Sequence, residues 1–157
     1  MRPLPDSKVL AQLVTSVTKT MLGIVFQAVD SKLPSRPQQW RTAMLPIPGA
    51  RPLTVGLSSD DASCRALCAK MFDCGIESVD AEMVDDSLRE LTNMTAGLVK
   101  TSLALDQRLG LPAIIEGAAT TGPLLSPDGQ SVMLKADRLG LFLWVREGLL
   151  EGTSCPE

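Results

Sequence analysis

Asp86, Glu90, Asn93 and Gly97 follow one another at intervals of four, three and four in the run Asp85-Asp86-Ser87-Leu88-Arg89-Glu90-Leu91-Thr92-Asn93-Met94-Thr95-Ala96-Gly97. On a helix, where each residue turns by roughly 100°, this spacing puts all four on one side, with Val84, Leu88, Leu91, Thr95 and Leu98 opposite. Glu90 and Asn93 then stand one turn apart, their Cβ atoms ~5–6 Å from each other, and Asp86 lies one turn earlier. A carboxylate offers a charged acceptor; a carboxamide offers a donor and an acceptor with no charge, which suits it to holding a water molecule in a chosen direction. Gly97 takes bulk off the same ridge, so another backbone could come close. Any solvated helix shows a polar face. Two local costs set this one apart: asparagine is a poor former in a helix interior, and glycine costs up to ~1 kcal/mol relative to alanine. Together they point to a use.

Composition narrows that use. The 157 residues contain no histidine, which excludes Ser-His-Asp and Cys-His nucleophile systems, His-ligated zinc and imidazole pH switching. A formal net charge of -3 and the lack of a basic stripe with interleaved aromatics argue against nucleic acid as a partner. Apolar stretches such as Met21 to Phe26 fall far short of the ~20 residues that cross a bilayer, so no membrane span is expected. The start, Met1-Arg2-Pro3-Leu4-Pro5-Asp6, lacks the apolar core of a secretion signal, and the expected location is the cytoplasm. Cys64, Cys68 and Cys74 form a C-x3-C-x5-C pattern that fits neither zinc nor iron–sulfur spacing. They read, with Cys155, as reduced space-filling thiols, a metal or redox role being the alternative.

The elements that must position the ridge can be laid out along one domain covering 1–157, with 1–5 and 152–157 as flexible ends. Val9, Leu10, Leu13, Val17, Met21, Leu22 and Val25 give a long amphipathic helix from Asp6 to about Ala28. Pro34, Pro37, Pro46, Pro48 and Pro52 punctuate the next stretch, in which Gln39 to Leu45 and Leu53 to Leu57 read as strands joined by a turn from Pro46 to Pro52. Ser58, Ser59 and Asp60 supply acceptors for a second helix that runs to Phe72 and stops at Asp73-Cys74-Gly75. A third helix spans about Asp80 to Leu105, with acidic Glu82, Asp85 and Asp86 toward its N-terminal end and Gly110-Leu111-Pro112 as its stop. Ala113 to Ile115, Ser131 to Ala136 and Gly140 to Val145 read as strands, with Pro123 and Ser126-Pro127-Asp128-Gly129 between them. The order α, β, β, α, α, β, β, β predicts an α+β fold, long helices packed on a mostly antiparallel β-sheet. No glycine-rich phosphate loop opens a helix, so nucleotide binding of the usual kinds has no support.

The spacing Asp86-x3-Glu90-x2-Asn93, followed by Pro112, resembles the signature of the chemotaxis phosphatases of the CheC/CheX/FliY class, and CheX most nearly. The run Glu90-Leu91-Thr92-Asn93-Met94-Thr95-Ala96-Gly97 is similar to that family's E-[IL]-x-N-[MI]-x-A-G, although the interval from Asn93 to Pro112 is somewhat shorter than usual. Some members carry two such helices. Laying the first helix over the third with Gly23 on Gly97 puts Ser16 at the place of Glu90 and Lys19 at that of Asn93, so one site per chain is expected.

The resemblance implies hydrolysis of the aspartyl phosphate on a CheY-like receiver domain, with Asn93 orienting water and Glu90 meeting the receiver's lysine. Asp86 would aid partner recognition or cap the polar stripe, and Gly97 would admit the partner; Thr92 and Lys100 would be solvated bystanders. The Mg²⁺ would belong to the receiver, the chain having no cofactor of its own. A homodimer formed through sheet edges is also implied, and the apolar run Leu141 to Val145 fits either that edge or simple core burial. The alternative function is a non-catalytic adaptor of the same fold that binds a signalling or flagellar-switch partner.

Overall fold

A carboxylate starts each of the three α-helices. Asp6 accepts from the Val9 N–H at 3.0 Å, Asp60 from Ser63 at 2.8 Å and Asp80 from Met83 at 2.8 Å. Caps of this kind contribute ~1 kcal/mol each and fix where the chain turns helical. The computed structural model describes residues 2–29, 40–116 and 129–149. In order these form α1 (Ser7–Leu22), β1 (Gln27–Val29), β2 (Trp40–Ile47), β3 (Leu53–Asp60), α2 (Asp61–Phe72), a 3₁₀ turn (Ile76–Ser78), α3 (Ala81–Ser102), β4 (Ala113–Glu116), β5 (Gly129–Ala136) and β6 (Leu139–Glu147). The strands build one six-stranded sheet, ordered β1-β5-β6-β3-β2-β4, and every neighbouring pair is antiparallel. The α+β architecture expected from the element order is therefore the observed one.

Alternation along the strands divides the core in two. Leu45, Ile47, Leu53, Val55, Leu57, Leu141, Leu143 and Val145 share one buried cluster with α1 residues Leu10, Val14 and Val17 and α3 residues Leu91, Ala96 and Val99. Trp40, Met44, Met133, Phe142 and Trp144 form a second cluster. Leu141 to Val145 are all buried because they alternate between these clusters, and β6 lies inside the sheet between β5 and β3. The apolar run is thus core; the edge strands among the described residues are β1 and β4. A third, smaller cluster joins Ala43, Cys64, Cys68, Val79, Val84 and Leu88, wedging α2 against the inner side of α3. Cys64 and Cys68 are buried and Cys74 partly so, all as free thiols, while Cys155 lies outside the described residues.

Several boundaries differ from the expected ones. α1 ends at Leu22 because Gly23 adopts a left-handed conformation (φ 69°), its N–H donating to the Lys19 carbonyl and the Ile24 N–H to that of Thr18. Val25, expected on the helix's apolar side, is instead 53% exposed, and residues 27–29 pair with Met133 to Lys135 of β5. β3 runs on to Asp60, so only Asp60 caps α2. Ser58 and Ser59 are buried strand residues, Ser58 against the Thr42 hydroxyl at 2.6 Å and Ser59 donating to the Gly140 carbonyl at 2.6 Å. α3 stops at Ser102, not Leu105, because Ala104 takes a positive φ of 54°. Among residues 2–5, Leu4 packs against the core and Pro5 is buried. Gln39, Pro34, Pro37, Pro123, the Ser126-Pro127-Asp128 turn residues and the end from 152 to 157 lie outside the described residues.

Two measurements check this packing. A Cβ on Gly56 would overlap the Trp144 indole, so Gly56→Ala is expected to lower unfolding stability in urea by roughly 1–3 kcal/mol through overpacking. Burial pushes the Cys64 thiol up from its ordinary 9.0 to about 12, partly offset by the Ser59 side chain. Between those values the folded state keeps a proton that the unfolded state has released, so stability falls as pH rises, by about 1.4 kcal/mol per unit. Urea midpoints at pH 8 and pH 10 should show that fall, and Cys64→Ala should remove it.

Candidate functional site

One side of α3 is anchored and the other is free. Val84, Leu88, Leu91 and Thr95 are buried as expected, joined by Ser87, Thr92, Ala96 and Val99, while Leu98 is only partly buried. The hydroxyls on that side are consumed by the helix itself: Ser87 donates to the Met83 carbonyl at 2.9 Å, Thr92 to Leu88 at 2.7 Å and Thr95 to Leu91 at 2.7 Å. Thr92 is therefore no solvated bystander. It is fully buried, its methyl in the core and its hydroxyl satisfied by the preceding turn. Lys100 is half-buried.

Asp86, Glu90 and Asn93 are all exposed on the opposite side, with Gly97 a turn beyond Asn93. A Cβ added to Gly97 would meet nothing within 4 Å, so the ridge is open there. By contrast Gly23, its counterpart in the overlay of α1, terminates a helix instead of lying within one. Ser16 and Lys19 are exposed on α1 and bring no carboxylate–amide pair.

Asp86, Glu90 and Asn93 line an open depression of about 360 Å³ together with Arg89, Gly110, Leu111 and Pro112. Pro112, distant in sequence, thus comes beside the pair, and the short interval from Asn93 still delivers it. The loop that carries it is fixed by Gln107, whose amide donates to the carbonyls of Arg51 at 2.9 Å and Pro48 at 3.2 Å and accepts from the Arg51 N–H at 3.0 Å. Gly49 leaves room for this side chain: a Cβ there would lie 2.6 Å from Gln107 Cγ. The Gly110 N–H then donates to the Pro46 carbonyl at 2.7 Å. On the other flank, Arg41 of β2 pairs with Asp85 at 2.8 Å, both largely shielded, and ties the first half of α3 to the sheet.

Arg89, Leu111 and Gln107 escape a reading by spacing along one helix, because two of them lie on the loop and Arg89 falls at the ridge's margin. Arg89 donates to Asp86 at 3.0 Å, so Asp86 enters the depression as half of an ion pair. Leu111 is 65% exposed. The depression combines one carboxylate without such a partner among the described residues, one carboxamide, one ion pair and an apolar lip. Among the described residues the depression is lined by no hydroxyl or thiol nucleophile, and no group of three or more cysteine, aspartate or glutamate residues is placed for a metal.

This fold has known counterparts. The family model for the chemotaxis phosphatase CheX matches residues 41–129, more than half the chain, and the chain belongs to that family. The structure is similar to chemotaxis protein CheX from Vibrio vulnificus, with TM-score 0.69 and 17% identity over 88% of this chain and 96% of that one. It is similar also to CheX from Desulfovibrio desulfuricans, with TM-score 0.68 and 16% identity over 90% and 98% of the two chains. A third counterpart is the CheX–CheY–BeF3–Mg²⁺ complex from Borrelia burgdorferi, at TM-score 0.66 and 14% identity over 93% and 99%. No curated protein matches the chain. No helix among the described residues is long and apolar enough to cross a membrane.

Because Leu111 has little of its surface covered, Leu111→Ser is expected to change stability by no more than about 0.5 kcal/mol. A larger fall in the urea midpoint would show that the residue packs within its own chain and is not available to another molecule.

Proposed function

We propose that the chain hydrolyses the aspartyl phosphate of a CheY-like receiver domain, placing the Glu90–Asn93 ridge of α3 at the partner's active site. The observation that carries this reading is the joint exposure of Glu90 and Asn93, one turn apart, beside Pro112 and with open space over Gly97. Membership of the CheX family and the likeness to a CheX solved with CheY, BeF3 and Mg²⁺ support the choice of partner.

In the reaction, a water oxygen attacks phosphorus, the bond from phosphorus to the aspartyl oxygen breaks, and inorganic phosphate and a free carboxylate result. Asn93 accepts a hydrogen bond from that water and donates another, holding it in line without bringing negative charge to the phosphoryl group. Glu90 would repel the phosphoryl group unless a cation stood between them; the receiver's lysine fills that place and fixes the approach. Asp86 and Gly97 lie on the contact surface, and the receiver brings its own Mg²⁺, so this chain needs no metal or cofactor. A homodimer belongs to the same reading; β6 offers no edge, so two copies would pair at β1 or β4.

Phosphate loss from a phosphorylated receiver, followed beside the purified protein, tests the proposal. The wild-type chain is expected to accelerate it, Asn93→Ala to slow turnover about 100-fold while retaining binding, and Glu90→Ala to weaken binding about tenfold. Full activity in Asn93→Ala would overturn the assigned roles. Stable association with no change in phosphate release would identify the non-catalytic adaptor instead.

A further inference from the structure

Arg89 stands at the margin of the ridge and lines the depression with Asp86 and Asn93. Its hydrogen bond to Asp86 spans less than one helical turn, and the two side chains are 42% and 56% exposed. An ion pair this open adds little to stability and is easily exchanged for another anion. Arg41 and Arg51 differ, since each ties separate parts of the fold together through a better-shielded pair, with Asp85 and Glu147. Among the described residues, Arg89 spends one of its five N–H donors, leaving the fork free to meet two oxygens at once.

The charge on the ridge gives that fork a task. Without Arg89, Asp86 and Glu90 would present two bare carboxylates where a phosphoryl dianion has to enter. If Glu90 also draws the receiver's lysine to itself, a phosphoryl oxygen loses a cation as the complex forms. A guanidinium one turn before Asn93 lies within reach of the same oxygens.

We propose that Arg89 is a substrate-recognition residue that exchanges Asp86 for the phosphoryl oxygens of the partner, and so discriminates the phosphorylated receiver from the unphosphorylated one. Asp86 is then a positioning residue, holding the guanidinium over the depression in the free protein. This inference rests on the phosphatase reading above and adds the group that senses the phosphoryl charge.

The test is a titration of the wild-type chain, Arg89→Ala, Arg89→Lys and Asp86→Asn with a receiver in its BeF3-activated and unactivated forms, with phosphate release measured in parallel. The wild-type chain is expected to prefer the activated form, and Arg89→Ala to lose about tenfold of that preference while binding the unactivated form as before. Arg89→Lys should restore only part, because an ammonium cannot engage two oxygens as a fork, and Asp86→Asn should raise KM with kcat nearly held. An unchanged preference in Arg89→Ala overturns the inference and leaves the phosphatase reading standing. Wild-type binding without accelerated phosphate release overturns the phosphatase reading, while the ratio of affinities still decides the role of Arg89. Failure to bind the receiver in either form overturns both.

Discussion

Burial of one side of α3 is the constraint from which the site follows. Val84, Leu88, Leu91, Thr95 and Val99 cannot leave the core without exposing apolar surface, and the helix period then leaves Asp86, Glu90 and Asn93 nowhere to go but outward. The buried threonines strengthen this lock. Their hydroxyls bond to the carbonyls of the preceding turn, so they enter the core without an orphaned polar atom and without competing for anything on the outer ridge. The rotation of the helix, and hence the direction of the carboxamide, is set from behind.

The opposite wall depends on polar contacts instead. Gln107 reaches across to the β2–β3 turn and bonds backbone groups of Ile47, Pro48 and Arg51 there, which makes its loop a defined support for Gly110, Leu111 and Pro112. The Arg41–Asp85 pair does comparable work at the other end of the ridge. The site is therefore a helix face set beside a loop braced by the β2–β3 turn.

Much of this was legible in the residues alone. The helix starts near Asp6 and Asp80, the cap at Asp60, the β2–β3 hairpin, the helical stripe and the Glu90–Asn93 spacing are local patterns, and local patterns survive into the fold. The three-residue β1 had no such pattern, since its place comes from pairing with β5 over a hundred residues away. The end of α3 carried no glycine or proline; Ala104 accepts a positive φ because the surrounding structure demands it. Gln107 is invisible for the same reason, its partners lying 56 to 60 residues away, and Arg89 gains meaning only once Pro112 is seen to close the depression around it.

The aromatic residues are distributed in a way that matters to anyone watching this molecule in solution. Its two tryptophans, Trp40 and Trp144, are both buried in one cluster on the sheet, and the chain has no tyrosine. Intrinsic ultraviolet emission therefore originates from this cluster, which contains no residue of α3. Light from the indoles will register loss of the fold, while an event confined to the ridge has no native chromophore beside it and calls for a dye or an isotope label.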